Sequence, residues 1–190
     1  MTDDVVDEMK KQIAALRKEV AMLRIANSEL ERVVVRDTLT PLFNRRHFIS
    51  SIADRISRVS RYGTHSVIMF IDVDNMKIVN DRYGHAAGDF ALMHVAGIIG
   101  GAVRSTDVAA RVGGDEFALI LDEIDHDQAE QKMQVLDALV RETPCQFGDD
   151  LLPISASFGC TPITADDTEF SIMARADEAM YVNKRRRHSL

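Results

Sequence analysis

Apolar residues recur at alternating spacings of three and four along the first 36 residues of the chain. They are Val6, Met9, Ile13, Leu16, Val20, Leu23, Leu30 and Val34, with the polar residue Asn27 in the same register. This is a heptad repeat with β-branched residues at most a positions and leucine at most d positions, which favours a parallel two-stranded coiled coil. The pattern therefore predicts a long helix that pairs with the same helix of a second chain.

Two further features of this helix bear on its partner. Asn27 at an a position can hydrogen-bond to its counterpart across a parallel dimer, which fixes register and strand number. Glu19 at g faces Arg24 at the e position of the partner. The alternative is an amphipathic helix that lies on the core of its own chain, but such helices usually show a wider apolar stripe. We predict a parallel dimeric coiled-coil stalk over residues 1–36.

Downstream of residue 36, short apolar strands alternate with amphipathic helices. The periodicity predicts helices over 44–61, 86–104, 126–142 and 168–187, and strands over 66–73, 107–111, 116–121 and within 150–161. The strands on either side of Gly113 and Gly114 are predicted to form a β-hairpin. A hairpin inside alternating elements indicates an α/β fold, with a mixed central sheet covered by helices.

The composition argues against several classes of partner. The 23 basic and 30 acidic residues give a net charge of −7, so a basic surface that wraps nucleic acid is not expected. No apolar run approaches the roughly 18 residues of a membrane span, and the acidic N-terminus lacks the features of a secretory signal. Cys145 and Cys160 have no metal-binding spacing and are expected to be reduced thiols in the cytoplasm, the alternative being a disulfide.

Two pairs of acids stand near the ends of predicted strands. Asp72 and Asp74 end the strand over 66–73, and Asp115 and Glu116 follow two glycines at the hairpin tip. Carboxylates at strand ends lie at the mouth of an α/β sheet, where ligands bind, and the two pairs converge if their strands are neighbours. Clustered carboxylates repel unless a cation neutralises them, and Mg²⁺ with phosphate is the usual solution. Either pair alone is also compatible with solvated turn residues.

Five motifs then stand in order along the globular part of the chain. They are Asp37–Arg46, Asp72–Asp89, Gly113–Phe117, Ser157–Gly159 and Ala176–Tyr181. Together they make this part resemble the GGDEF-domain family of diguanylate cyclases. The resemblance implies a catalytic domain over residues 37–190 with a fold like that of polymerase palms and nucleotide cyclases. It also implies an enzyme that joins two GTP molecules into cyclic di-GMP and releases pyrophosphate.

The resemblance implies metal-binding and catalytic roles for five residues. Asp72, the backbone carbonyl of Val73 and Asp115 match the family's ligands for Mg²⁺, with Mn²⁺ as an alternative. Glu116 matches an acid that helps to deprotonate the 3′-hydroxyl of GTP or positions the metals. Lys77 matches a lysine near the triphosphate, where a positive charge stabilises the transition state. Without the family context, Lys77 is simply an exposed helix lysine.

Substrate contacts are implied in the same way. Asn80 and Asp89 match the guanine readers, since a carboxylate accepts from N1–H and the 2-amino group and an Asn amide donates to O6 or N3. His85 lies between them and either lines the same pocket or caps a helix. Lys184 matches a phosphate-binding lysine of the terminal helix. His188 stands where the family has an arginine, which leaves the second phosphate contact to the arginines before it or to none.

Arg104 and Asp107 form an RxxD motif shortly before the hairpin tip. In the family this motif forms an inhibitory site for the product. Arginine pairs with phosphate or stacks on guanine, and aspartate accepts from the guanine edge. The alternative is an ion pair at the end of a helix.

The implied reaction requires two chains. Each domain holds one GTP, and the 3′-hydroxyl of each must attack the α-phosphate of the other, so two half-sites face each other with twofold symmetry. The stalk supplies that homodimer and raises the effective concentration of the second domain. No sensor domain fits before the stalk, so either a regulatory protein grips the stalk or a longer N-terminal sequence has been lost.

Two other classes of function remain open. One is a catalytically silent module that binds GTP or cyclic di-GMP, against which the intact acids argue. The other is a coiled-coil scaffold, which has no need of Asp72 and Asp115. A P-loop NTPase is disfavoured because the chain contains no GxxxxGK[ST] motif.

Overall fold

The chain divides into two units, Met1–Val35 and Arg36–Leu190. The computed structural model describes the backbone of residues 2–188 and the side chains of residues 9–24 and 35–185. The side chain of Asn27 and those of the basic tail after Arg185 lie outside the described residues. The predicted asparagine pair and the predicted tail contacts to phosphate therefore stay predictions.

The first unit is one uninterrupted helix, α1, over Thr2–Val35. Its described heptad side chains are all between 46 % and 62 % exposed, namely Met9, Ile13, Leu16, Val20 and Leu23. A seam of this kind is apolar surface that a second helix would cover. The pairing itself, and its parallel direction, stay predictions.

Arg36 belongs to the second unit rather than to the helix. Its guanidinium donates to the carbonyl of Pro41 at 2.9 Å and lies 4.0 Å from the ring centroid of Phe43. The boundary between the units therefore falls one residue earlier than the sequence pattern placed it.

A five-stranded mixed sheet forms the centre of the second unit. Its strands follow the order β1 (Phe43–Asn44), β3 (Val108–Arg111), β4 (Glu116–Asp122), β2 (Ser66–Val73) and β7 (Ala156–Pro162). β1 and β3 run parallel, whereas the other neighbouring strands run antiparallel. The predicted hairpin of β3 and β4 is confirmed, and so is the mixed central sheet.

The residues of β2 alternate between the two faces of the sheet and so separate two cores. Val67, Met69 and Ile71 pack with α3 (Met76–Tyr83), α4 (His85–Ala102) and α5 (His126–Glu142). Ile68 and Phe70 pack on the opposite face with α2 (Arg45–Tyr62) and α6 (Glu169–His188). Because side chains alternate along a strand, Asp72 shares the face of Ile68 and Phe70.

Several short elements differ from the expected pattern. Helix α3 follows β2 after Asp74 and Asn75, and its N-cap Asn75 adopts a left-handed conformation with φ 57°; the sequence pattern predicted no element at these residues. The strand expected within 150–161 is two strands in different sheets. β6 (Asp150–Leu152) pairs with β5 (Cys145–Phe147) around Gly148, whose φ is 59°, and β7 joins the central sheet.

Two expectations from the composition can be compared with the structure. Cys145 and Cys160 are free and buried, so the expectation of unpaired thiols is confirmed. Burial, with the Glu130 carboxylate, raises the pKa of Cys160 to about 11. Among the described helices, none is long and apolar enough to cross a membrane.

Candidate active site

The register of β2 and β4 brings the two predicted acid pairs together. Asp72 stands directly opposite Glu116 in the antiparallel ladder, and the backbone N–H of Val73 donates to the carbonyl of Asp115 at 2.9 Å. Directly opposed residues place their side chains on the same face of a sheet, about 5 Å apart at Cβ. The hypothesis that the acids converge is therefore confirmed.

Lys184, from the terminal helix, reaches this carboxylate cluster. Its Nζ lies 2.5 Å from Oδ1 of Asp72, across 112 positions of sequence. Burial by itself lowers the pKa of Lys184, but the hydrogen bond to Asp72 and the carboxylates of Asp72, Asp74 and Asp115 raise it overall. The cluster therefore holds a cation in this structure, and that cation is the lysine implied to bind phosphate.

Glu116 lies among more negative charge than the sequence suggested. Burial raises the pKa of its carboxyl, as do the neighbouring carboxylates of Asp72, Asp115 and Asp177, and the guanidinium of Arg45 opposes them. Sequence reasoning assigned no role to Asp177 or Arg45, although both lie inside quoted motifs. The raised pKa makes Glu116 a stronger base than an ordinary glutamate once it is ionised.

The hairpin tip that carries Asp115 is held from two sides. Arg111 donates through Nη2 to the carbonyl of Gly114 at 2.6 Å and pairs with Oδ1 of Asp37 at 3.4 Å. A Cβ on Gly113 would lie 2.1 Å from Oε2 of Glu116, so the first glycine of the tip leaves room for that carboxylate. These contacts fix where the two signature acids stand.

Asp74 has a structural role rather than a ligand role. Its side chain is only 5 % exposed, and its two oxygens accept from the hydroxyls of Ser155 and Ser157, each at 2.8 Å. These bonds join the end of β2 to the start of β7. Of Asp72 and Asp74, Asp72 is the one whose carboxylate contacts Lys184.

The residues implied to read guanine lie at the junction of α3 and α4. Asn80 is half-buried near the end of α3, whereas Asp89 is exposed in the second turn of α4. His85 is the exposed first residue of α4, and Gly84 is the N-cap, with no side-chain capping bond. The capping alternative for His85 is therefore wrong. Lys77 is exposed in the first turn of α3.

Comparison with known proteins shows the family to which a chain with this arrangement of acids belongs. Residues 34–189 match the profile described as diguanylate cyclase, GGDEF domain. The chain belongs to the GGDEF-domain family of diguanylate cyclases. It is 31 % identical over 182 residues to diguanylate cyclase A of Treponema denticola. This alignment covers 93 % of this chain and 49 % of that relative. The chain thus spans about half the length of this curated relative.

Two solved structures of GGDEF proteins resemble most of the chain. The coiled coil and GGDEF domain of DgcB from Caulobacter crescentus, in complex with c-di-GMP, superposes with a TM-score of 0.86 at 28 % identity, covering 93 % of this chain and 94 % of that one. The diguanylate cyclase SiaD from Pseudomonas aeruginosa, in complex with its activator SiaC, superposes with a TM-score of 0.80 at 30 % identity. That match covers 95 % of this chain and 69 % of SiaD.

The residues of this GGDEF domain fit a hard divalent cation. Asp72 and Asp115 offer carboxylate oxygens, and the Lys184 ammonium on Asp72 demonstrates that a positive charge is stabilised there. Among the described residues, no group of three or more His, Cys, Asp or Glu side chains has the spacing of a metal cage. Mg²⁺ commonly binds through one or two carboxylates together with substrate phosphates and water. Asp72 and Asp115 match a site of this kind, in which two carboxylates are joined by substrate phosphates and water, rather than a cage made of protein side chains alone.

The RxxD motif of this GGDEF domain lies between α4 and β3. Asp107 accepts from the backbone N–H of Arg104 at 2.9 Å and from the backbone N–H of Asp122 at 3.1 Å. The contact between the two motif residues therefore involves the backbone of Arg104, and the alternative reading, an ion pair between their side chains, is not formed among the described residues. Arg104 is exposed beside a cavity of about 330 Å³ that Gln128 and Lys132 also line.

Proposed function

We propose that this chain is a Mg²⁺-dependent diguanylate cyclase that condenses two GTP molecules into cyclic di-GMP and releases two pyrophosphates. The observation that carries the proposal is the β2–β4 register, which sets Asp72 opposite Glu116 beside Asp115. Lys184 contacts the same cluster. Two acids for a metal, a third acid of raised pKa and a lysine are the groups that nucleotidyl transfer requires.

Asp72, Asp115 and the carbonyl of Val73 would hold the metal. Bound Mg²⁺, or Mn²⁺ in its place, supplies a Lewis acid for phosphate oxygens. Lys184, whose ammonium contacts Asp72 in this structure, would contact the triphosphate when a metal is bound there. Lys77 adds positive charge from the first turn of α3, at the helix end that favours anions.

Guanine recognition rests with the junction of α3 and α4. Asp89 accepts hydrogen bonds from N1–H and the 2-amino group, and the Asn80 amide donates to O6 or N3. His85, exposed at the start of α4, lines the same pocket. Adenine presents a different pattern of donors and acceptors, so these groups favour GTP over ATP.

The chemical step needs a base near the attacking hydroxyl. The 3′-oxygen of one GTP forms a bond to the α-phosphorus of the other, the bond from that phosphorus to the bridging oxygen breaks, and pyrophosphate leaves. Glu116 accepts the proton of the 3′-hydroxyl, because its pKa is raised by burial and by neighbouring carboxylates. The same step on the second phosphate closes the ring.

A homodimer completes the site, because one domain holds one GTP. The exposed seam of Met9, Ile13, Leu16, Val20 and Leu23 supports pairing through a parallel coiled coil. The DgcB structure that resembles this chain also joins a coiled coil to a GGDEF domain. The stalk holds the GGDEF domains of the two chains, called heads below, close together. The second half-site is therefore present at high effective concentration.

The product restrains the enzyme through Arg104 and Asp107. Arg104 is exposed and pairs with a phosphate of cyclic di-GMP. Asp107 already accepts two backbone N–H bonds, so it orients Arg104 and offers its remaining lone pairs to the guanine edge. The cavity beside Arg104 supports a ligand at this position.

A regulatory protein is the expected input to the stalk. SiaD, which resembles this chain, is described in complex with an activator, SiaC. A protein that grips α1 alters how the two heads meet, and so sets the rate. We place the enzyme in the cytoplasm, where its substrate GTP is made, and expect neither nucleic acid nor a membrane as a partner.

Incubation of the full chain with GTP and Mg²⁺ tests the proposal. We expect cyclic di-GMP and two pyrophosphates per product, no product when EDTA replaces the metal, and none from ATP. A protein that binds GTP tightly but forms no product would be a silent binding module, and the proposal would be wrong.

A further inference from the structure

Gly88 lies against the side chain of Asn80. It is buried in α4, one residue before Asp89. A Cβ built on Gly88 would stand 1.9 Å from Oδ1 of Asn80 and 3.0 Å from its Cγ. No real Cβ comes so close to another heavy atom, so any larger residue here moves the amide of Asn80.

The backbone of α4 does not require glycine at this position. The described glycines with positive φ are Gly63, Gly84 and Gly148, so Gly88 has a conformation open to every residue. Glycine is also less favourable than alanine inside a helix. What the absent side chain provides is space for the carboxamide of Asn80.

The same helix contains a natural comparison. Gly97 is exposed in α4, and a Cβ built there meets nothing within 4 Å. An alanine at Gly97 therefore changes helix propensity alone, whereas an alanine at Gly88 changes propensity and also occupies the place of Asn80.

We propose that Gly88 is a positioning residue for guanine recognition. It seats the Asn80 carboxamide against α4, beside Asp89, so that two groups from different helices present one hydrogen-bonding surface to the base. The inference rests on the proposed role of Asn80 as a guanine reader. It extends that role to a residue that contacts no substrate and has no side chain.

The expected response to alanine at Gly88 is a loss of selectivity without a loss of stability. Asn80 has a short, half-buried side chain near the end of α3. Rotation about its first torsion angle removes the clash with a Cβ at residue 88 while both helices stay in place. The amide then points away from the base. A merely structural glycine would instead lose stability and turnover together.

The experiment compares Gly88→Ala, Gly97→Ala, Asn80→Ala and the Gly88→Ala/Asn80→Ala double variant in the full chain. For each we measure the melting temperature, kcat and KM for GTP, the ratio of kcat/KM for GTP over ATP, and calorimetric binding of a non-hydrolysable GTP analogue. Gly88→Ala should raise KM and the analogue Kd about three- to tenfold, the worth of one neutral hydrogen bond. Its melting temperature should not fall, and Gly97→Ala should bind GTP as the wild type does.

The double variant gives the decisive reading. If Gly88 acts through Asn80, the double variant binds GTP as weakly as Asn80→Ala alone, because Asn80→Ala has already removed the amide that Gly88 positions. Additive losses, or a Gly88→Ala variant with wild-type KM and selectivity, would overturn the inference while leaving the cyclase intact. A wild type with no preference for GTP would overturn the proposed function, and this inference with it.

Discussion

The ammonium of Lys184 lies 2.5 Å from a carboxylate oxygen of Asp72. Lys184 is in the terminal helix and Asp72 is the last residue but one of β2, so α6 contributes directly to the acid cluster. A positive charge thus already balances Asp72 before substrate binds. If Asp72 held the proposed metal, the Lys184 ammonium would be available to the substrate phosphates.

Replacement of Lys184 by Met should reduce turnover strongly while leaving the fold almost unchanged. The ion pair is partly solvated, with side-chain exposures of 34 % and 15 %, and such pairs contribute at most about 1 kcal/mol to stability. Loss of a phosphate contact in the transition state should lower kcat/KM at least about tenfold. Steady-state kinetics and urea unfolding check both, and Lys184→Arg, which keeps the charge, should retain more activity. Equal loss of activity in both variants would contradict a charge role.

The same lysine predicts a pH dependence of stability. Its pKa is raised above 10.5 in the folded protein, so its stabilising contribution is fully present below pH 10.5 and is lost as the pH rises through the folded pKa. The difference in unfolding free energy between wild type and Lys184→Met should therefore shrink above pH 10.5. Urea titrations at pH 8 and at pH 11 measure it.

Replacement of Asp115 by Asn should abolish product formation without dissociating the dimer. The residue is half-buried at the hairpin tip and is a proposed metal ligand, so its loss should affect chemistry rather than the core. The matched control is Asp149→Asn, an exposed turn acid in the small sheet. Product formation is followed by chromatography and the oligomer by sedimentation. Normal turnover by Asp115→Asn would refute the metal assignment.

Replacement of Asp37 by Asn should destabilise the head at neutral pH. Burial raises the pKa of Asp37, but hydrogen bonds from Thr40 and Leu39 and the charge of Arg111 lower it overall, below 3.8. The contribution of this carboxylate is therefore present above pH 3.8 and is lost as the pH falls through the folded pKa. We expect a cost on the order of 1 kcal/mol at pH 7 that disappears in acid. Chemical unfolding at pH 7 and pH 3, with the exposed Asp54→Asn as control, measures it.

Replacement of Arg104 by Ala should remove inhibition by product while leaving the initial rate near that of the wild type. Loss of one charged contact to a phosphate should weaken the inhibition constant about tenfold or more. Asp107 is a poorer target, because its carboxylate bonds the backbone of Arg104 and Asp122. Progress curves with pyrophosphatase present check the result, with Arg141→Ala as a control. Curves that still bend in Arg104→Ala would place the inhibition elsewhere.

Removal of residues 1–35 should leave a largely monomeric head with low activity. The cut keeps Arg36, which contacts Pro41 and Phe43. Activity should rise with the square of protein concentration while dimer is scarce, because two heads must meet. A designed parallel dimeric coiled coil in the same heptad register should restore turnover. A fragment that stays monomeric yet keeps full turnover per chain would refute the two-half-site mechanism.

The sequence by itself determined the features that depend on local pattern. The heptads of the first 36 residues, the strand Ser66–Val73 and helix His126–Glu142 follow from periodicity, and the structure has those two elements at the predicted residues. The Gly113–Gly114 turn indicated the hairpin, because two glycines between short apolar runs have few other solutions. The five motifs were sufficient to indicate the family.

Tertiary structure decided what depends on approach between distant segments. Helix α3 has only eight residues and two buried side chains, so its pattern was too short to separate from a turn. Three relationships join residues of different elements. Lys184 contacts Asp72, the charge of Asp177 lies near Glu116, and the side chain of Asn80 packs against Gly88. No local period encodes such pairs, because they arise only when strands and helices pack against one another. The sequence therefore supplied the chemical groups of the site, and the packing of α6 and α4 on the sheet decided which of them meet.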